Sequence, residues 1–562
     1  MDKKRLLIYF LISLVIFGLL ARFILIDNDF SVDEVDFVRP AISLKNTGHP
    51  VFYHSEQILN QTALWHPPMY IFTLSWAFRF VISELSARSI NALFSILTAI
   101  IIFLFCSNFI KDGAGRIIGL ISSSFFMINY YVLSSSILID IDIFSMFFTF
   151  AFIYSILMHY KTQKNHFLVF ASLALFFSLM NRYIISASCF FFIGIYYLID
   201  KNLRKDLKKY IMTGVVAFLA FLLIWTLYIV FWEPGNFFSF LAHSARMGGE
   251  QFLDLKVYLA SFLLNLAQLV RLITLPFAVL ILLSINYFRK NRTKLTNVIL
   301  LYVLPVFLLF VLVPRPAFGY PRYFISIMPG FLVLVSIFVY KKLKPLKIDY
   351  KIIFIVSLIS ILSFVLLLVL NPQLTSYSSN GLILATNLPD FAFNILVYAP
   401  IVLVLFAGGK DKKKLLLLAL ISLSILSSIY FDVKMLSHDP EIKEVGEYIK
   451  ANTEEGELII APKAIGYYSG RRFYSNDNSK PKLDFSWRYL KSYFLKSLEN
   501  REMDDEFFWD NGLFNGLDEP FPDLNNVSYV VLHNSLENRV PEKIIGKYFV
   551  YNLHQDFFDS QI

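Results

Sequence analysis

Along the first three quarters of the chain, apolar runs alternate with short polar connections that are rich in Lys or Arg on every second turn. Runs of about 18 residues or more are long enough, as helix, to cross a hydrocarbon core of about 30 Å. Placed by hydropathy, thirteen such spans are expected, at about 6–26, 88–110, 117–138, 143–160, 167–181, 183–199, 210–232, 260–288, 295–313, 323–340, 352–370, 391–407 and 415–431. After residue 431 the pattern changes. Pro440 to Asn452 has helical spacing of apolar residues, whereas Glu457–Pro462 and Ser528–His533 read as strands. The expected architecture is a polytopic α-helical membrane module over 1–431, followed by a small α/β domain over 432–562.

Charge supplies the orientation. With Lys3, Lys4 and Arg5 inside, the cytoplasmic connections carry 25 Lys and Arg and the opposite ones carry nine. That asymmetry follows the positive-inside rule at every short loop, and a miscounted span would reverse it from that point onward. The N-terminus is therefore expected in the cytoplasm. Its apolar stretch Leu6 to Ile26 is too long for a signal-peptide core, so it is read as an uncleaved first span. Thirteen spans put the tail on the outer face of a plasma (cytoplasmic) membrane. The tail has a net charge of −8 and residues 1–431 have +17. The positive charge thus anchors cytoplasmic loops and implies no nucleic-acid partner. A mean hydropathy of +0.59 over 562 residues fits this membrane class. Cys106 and Cys189 both lie in apolar segments and support neither a disulfide framework nor a Cys metal site.

The topology gathers candidate chemistry on the outer face. The first outer loop, 27–87, holds Asp33, Glu34 and Asp36, then the run Trp65-His66-Pro67-Pro68-Met69-Tyr70. Asp140, Asp142, Arg182, Arg315, Arg322 and Tyr323 fall at outer ends of spans or in outer loops. Ionisable groups at the edge of a membrane bundle are functional candidates by default. Arg holds phosphate through paired charge-assisted hydrogen bonds, and a carboxylate removes a proton from a hydroxyl. Plain alternatives stand beside these readings. Asp140 and Asp142 are equally suited to terminating a helix, Arg322 to anchoring at the interface, and Pro67-Pro68 to a turn before a surface helix near Met69–Ile82. His49, His54 and His66 beside the carboxylates leave room for a divalent cation, though their spacing fits no recognised metal signature. Gly113 to Gly119 misses the dinucleotide fingerprint and has no βαβ context.

The ordered set Val32-Asp33-Glu34-Val35-Asp36-Phe37, Trp65 to Tyr70, Ala87 to Leu93, Asp140-Ile141-Asp142 ahead of a Phe-rich helix, Asn181-Arg182-Tyr183 and Pro321-Arg322-Tyr323 resembles a known superfamily. It is that of the protein O-mannosyltransferases and aminoarabinose (lipid A) transferases, glycosyltransferases of GT-C fold. The resemblance covers most of residues 1–340 and the overall plan of spans and tail. It implies Asp33 as general base, Glu34 beside it, Asp142 or Asp140 as second carboxylate, and Arg322 and Arg182 facing the donor phosphate, with Tyr323 and His66 near it. It also implies a polyprenyl-phosphate sugar donor and a hydroxyl acceptor on a protein, glycan or lipid. His66 stands where the aminoarabinose enzymes typically have Lys, which argues against assuming their donor, and Arg182 stands in place of a usual Lys.

The expected activity is sugar transfer with inversion at the outer membrane face. The alternative is a lipid or solute transporter, which predicts polar residues and broken helices near the midplane. Arg271 is the main such residue, and the gathering of carboxylates at one face favours the enzyme.

Overall fold

The computed structural model describes residues 3–25, 32–53, 59–63, 67–111, 113–199, 206–232, 269, 273–312, 321–343, 417, 419–425, 428, 441–475, 527–532, 541–546 and 548–552. Arg271, Arg315, the outer loop 233–256, the segment 477–523 and the expected spans 352–370 and 391–407 lie outside these residues. The chain is a largely helical membrane protein. Among the described residues, four stretches are long and apolar enough to cross a membrane: Glu84–Phe109, Ile141–Thr162, Leu207–Trp232 and Phe324–Lys342.

Two compact units form. The first gathers Met1–Ile26, Trp65–Tyr70 and Arg88–Ser437; the second gathers Asp27–Leu64, Ile71–Ala87 and His438–Ile562. The first outer loop therefore joins the C-terminal segment in one unit, apart from its Trp65–Tyr70 stretch.

In the first unit, α1 (Lys3–Leu25) crosses α5 (Ala114–Ile128) closely. Gly18 makes the crossing possible, since a Cβ there would stand 2.5 Å from Met127 O. The same seam buries Arg22, whose guanidinium donates to Gly18 O and Met127 O at 2.8 Å each and to Ser95 Oγ at 3.2 Å. Helix α4 (Glu84–Phe109) packs on α5 through Gly115 and Gly119, whose Cβ atoms would lie 2.6 Å from Cys106 O and 2.9 Å from Phe103 O. That packing is the use of the glycine-rich stretch.

The single span expected at 117–138 is two helices. α5 ends at Asn129 and α6 (Tyr130–Ser136) follows at 61°. Asn129 is extended and its side chain accepts from Val132 N, so it caps α6 and stops α5 at once.

Helix α7 (Ile141–Thr162) runs parallel to α4. Asn91 reaches Asp140 at one end, Asn108 bonds Tyr154 OH at 3.0 Å at the other, and Phe94 and Phe105 pack on Phe144 and Phe150 between them. α8 (His166–Ile199) runs antiparallel to α7 and is interrupted at Arg182, whose backbone is extended. Ser178 Oγ and Ser186 Oγ lie 2.6 Å apart. In a straight helix eight residues span about 12 Å, so α8 is bent sharply at Arg182, between the spans expected at 167–181 and 183–199. α9 (Leu207–Trp232) packs on α8, and α10 (Leu275–Lys290), α11 (Lys294–Leu312) and α12 (Met328–Leu343) complete the described bundle.

In the second unit, α2 (Val32–Thr47) leads into a hairpin of β1 (Val51–Tyr53) and β2 (Leu59–Thr62). Helix α3 (Met69–Phe78) follows the Pro67-Pro68 turn. The C-terminal segment contributes α13 (Glu441–Asn452), β3 (Leu458–Ala461), α14 (Lys463–Ser469), β4 (Arg472–Ser475), β5 (Val527–Leu532), β6 (Lys543–Ile545) and β7 (Tyr548–Asn552). These strands form one sheet in the order β4-β3-β5-β7-β6, parallel across β4, β3 and β5 and antiparallel beyond. Alternating burial along β3 and the apolar β5 bury one face under α13 and α14. Two glycines allow close packing: a Cβ on Gly446 would meet Tyr468 Cβ at 2.4 Å, between α13 and α14, and one on Gly466 would meet the Phe473 ring of β4 at 2.6 Å.

Candidate active site

Asp140 and Asp142 open α7 and do different things. Asp140 is extended and its Oδ1 accepts from Ile141 N at 2.6 Å, which caps the helix. Asp142 lies in the first turn, where the helix dipole favours a negative charge. Its carboxylate forms a buried ion pair with the Arg182 guanidinium; the two side chains are 2% and 9% exposed. A buried charge pair of this kind is costly to assemble and costlier to break, because removing one partner strands the other. The bend in α8 brings Arg182 there, since its antiparallel run along α7 ends opposite the first turn.

Asn91 holds the approach to this corner. Its Nδ2 donates to Asp140 O at 2.7 Å and to Leu138 O at 2.5 Å, fixing the turn that precedes α7. Tyr70, from the Trp65–Tyr70 stretch, sets its ring edge-to-face on Phe144 at 5.7 Å, so that stretch meets the first turns of α7. His66 itself lies outside the described residues.

Arg322 and Tyr323 sit on a 3-10 helix, Pro321–Ile327, packed against α7 and α11. Tyr302 OH donates to Ser326 O, and the Tyr302 ring is 5.8 Å from that of Phe150. Farther along, Ile153, Phe150, Gly330 and Val333 line one small apolar cavity. The 3-10 helix also packs against α6, which leads into the α7 end that carries Asp142, so the Arg322 backbone lies toward that end. The opposite end of the bundle is basic: Lys161 Nζ donates to Asn108 O at 2.5 Å and Lys209 pairs with Asp206 at 2.8 Å. Of the expected site, Asp140, Asp142, Arg182 and the Arg322–Tyr323 backbone thus converge on one end of the first unit.

Asp33 and Glu34 belong to the second unit, in the first turn of α2. Glu34 and Asp36 are buried, as are Val35, Phe37, Val38 and Ala41 of the same helix. Pro40 lies inside the helix and has no N–H to give Asp36 O. Arg39 lies over the Phe473 ring at 4.7 Å and the Tyr467 ring at 5.8 Å. Burial pulls its guanidinium down to about 10, against the opposing influence of Tyr467 and Asp36, so it remains cationic at neutral pH. Burial, reinforced by Glu84, pushes the Tyr467 hydroxyl up to about 12, with Arg39 pulling the other way. Glu84 accepts from Tyr468 OH at 2.8 Å and faces Lys443 Nζ at 3.8 Å. Among the described residues, no three of His, Cys, Asp and Glu cluster as metal ligands.

Sequence reasoning missed Asn91 and Arg22. Asn91 lies inside the Ala87–Leu93 motif, and an Asn within an apolar helical run is the signal the sequence offers for it. Arg22 was hidden inside the first span.

No family model matches the chain, and no curated protein matches its sequence. Solved structures do match in fold. ArnT from Cupriavidus metallidurans in the apo state aligns with a TM-score of 0.60 at 15% identity, over 93% of this chain and 92% of that one. The same protein bound to undecaprenyl phosphate aligns at 0.59 and 14%, over 83% and 85%. An oligosaccharyltransferase from Archaeoglobus fulgidus in the apo form aligns at only 0.44, with 14% identity over 93% of this chain and 70% of that one. The chain has the GT-C membrane fold that its ordered motifs resemble.

Proposed function

We propose that the protein is an inverting glycosyltransferase that moves a sugar from a polyprenyl-phosphate donor to a hydroxyl acceptor. The observation that carries this reading is the buried Asp142–Arg182 pair, at the α7 end toward which Arg322 falls, on the fold of ArnT. Arg182 and Arg322 face the donor phosphate, and Asp142 keeps the Arg182 guanidinium aimed. The undecaprenyl phosphate bound to ArnT supports the lipid class of the donor. Asp33 takes the acceptor hydroxyl proton, and the acceptor oxygen bonds to the anomeric carbon. The carbon–oxygen bond to phosphate breaks, and its electron pair leaves with the polyprenyl phosphate. A single displacement inverts the anomeric centre. The two guanidinium groups neutralise the charge that develops on the leaving phosphate, a role that carries much of the rate in such reactions. Glu34 positions Asp33 or the acceptor; Tyr323 and His66 complete the donor side.

In this reading thirteen spans place the N-terminus in the cytoplasm, with Asp33 and the C-terminal α/β domain on the outer face of the plasma membrane. The acceptor is then a protein, glycan or lipid hydroxyl on that side. The test is transfer from a panel of radiolabelled polyprenyl-phosphate sugars in membranes holding wild type or Asp33→Asn at equal abundance. Loss of a general base costs about 10²–10⁴-fold. Full activity in Asp33→Asn would remove Asp33 from its role. A wild type that consumes no donor would bring forward the transporter.

A further inference from the structure

We infer that Arg39 is a positioning residue, through which the C-terminal sheet sets the acidic turn of α2 for catalysis. This rests on Asp33 acting as the base. The acidic half of α2, residues 32–39, cannot hold its own shape. It is about two turns long, well below the length at which an isolated helix is stable. Pro40, inside α2, supplies no N–H to the helix at its midpoint and so weakens the support that the second half gives the first.

Arg39 is the one basic residue between Val32 and Pro40. It stands one turn from Asp36 and stacks on Phe473 and Tyr467, both supplied by the C-terminal segment. The receiving surface is built for close approach, because Gly466 lets α14 lie against the Phe473 ring. Glu84, with Tyr468 and Lys443, ties the other end of the first outer loop to the same segment. A guanidinium over an aromatic face fixes both distance and plane, which Lys over Leu does not. The C-terminal segment is on this view part of the catalytic apparatus by geometry, without touching substrate.

The test uses the full-length protein with Arg39→Lys, Phe473→Leu and the double variant, and reads kcat, donor KM and hydrogen exchange of α2 amides. A displaced base of this kind costs roughly 10–100-fold in kcat. Each single variant is expected to lose that much with donor KM unchanged, and the double is expected to be no worse than either. Exchange along residues 33–39 should rise in all three while β5 and β7 stay protected. A raised donor KM in Arg39→Lys alone would make Arg39 a phosphate ligand and overturn the inference. So would additive losses, unchanged kcat with unchanged α2 exchange, or loss of protection spreading to β5 and β7. If the wild type transfers no sugar, the glycosyltransferase reading fails by itself, and the exchange arm still decides whether the sheet orders α2.

Discussion

Two buried arginines in the first unit look alike in sequence, each a lone cation within or beside apolar helix, yet the structure treats them differently. Arg22 spends its donors on backbone carbonyls of Gly18 and Met127 and on Ser95, where α1 and α5 come too close for side chains between them. Arg182 sits at the sharp bend in α8 and pairs with a carboxylate at a helix N-terminus. The first arrangement consolidates a seam. The second keeps a pair of opposite charges at the end of the bundle, the pair to which the proposed function gives the donor phosphate. Both are buried; what differs is the bonding partner, backbone carbonyls for Arg22 and a carboxylate for Arg182.

The sharpest way to break this contrast is Asp142→Asn. Stranding the Arg182 charge is expected to cost about 3–5 kcal/mol, seen as a fall in folded protein surviving detergent extraction and heating. Adding Arg182→Gln should restore that yield but no transfer per folded molecule; recovered transfer would assign the pair to stability alone. Arg22→Met should cost about 1–3 kcal/mol, since it leaves carbonyl acceptors unmatched. Its transfer per folded molecule should stay at the wild-type level, and a loss of turnover there would erase the distinction. Gly18→Ala, which drives a methyl into Met127 O, should destabilise by about 1–2 kcal/mol through the same seam. Ser95→Ala removes one hydrogen bond in the bundle and should destabilise least, by about 0.6 kcal/mol, read as the smallest fall in the thermal midpoint.

Much of the fold is legible in the chain. The Phe-rich span expected at 143–160 is α7, and the Asp before it is its cap. The helix expected at Pro440–Asn452 and the strands at Glu457–Pro462 and Ser528–His533 appear within a residue or so as α13, β3 and β5. These are long or strongly patterned segments, where local preference and burial agree. What escaped is set by tertiary contact. Asn129 breaks the span at 117–138 without Pro or Gly, so hydropathy runs straight through it. Strands β4, β6 and β7 are three to five residues long and take their shape from their neighbours. At the candidate site, the meeting of Asp140, Asp142 and Arg182 at one end of the first unit accords with their place at span ends in the sequence, while Asp33 and Glu34 fall in the second unit and His66 and Arg315 outside the described residues. The division of labour between Asp140 and Asp142 was not legible, because a cap and an ion-pair partner two residues apart differ only in backbone conformation.

The union of the first outer loop with the C-terminal segment also sets a clock. Arg39 leaves the ribosome early, and Phe473 follows about 430 residues later; at roughly 5–20 residues per second that is tens of seconds. Throughout that interval the nascent chain already carries its acidic helix but lacks the surface that receives it. If Arg39 orders the acidic turn as inferred, a polypeptide cut short before the sheet is made would insert its helices with that turn unordered, and only a chain that reaches Phe473 would come into operation.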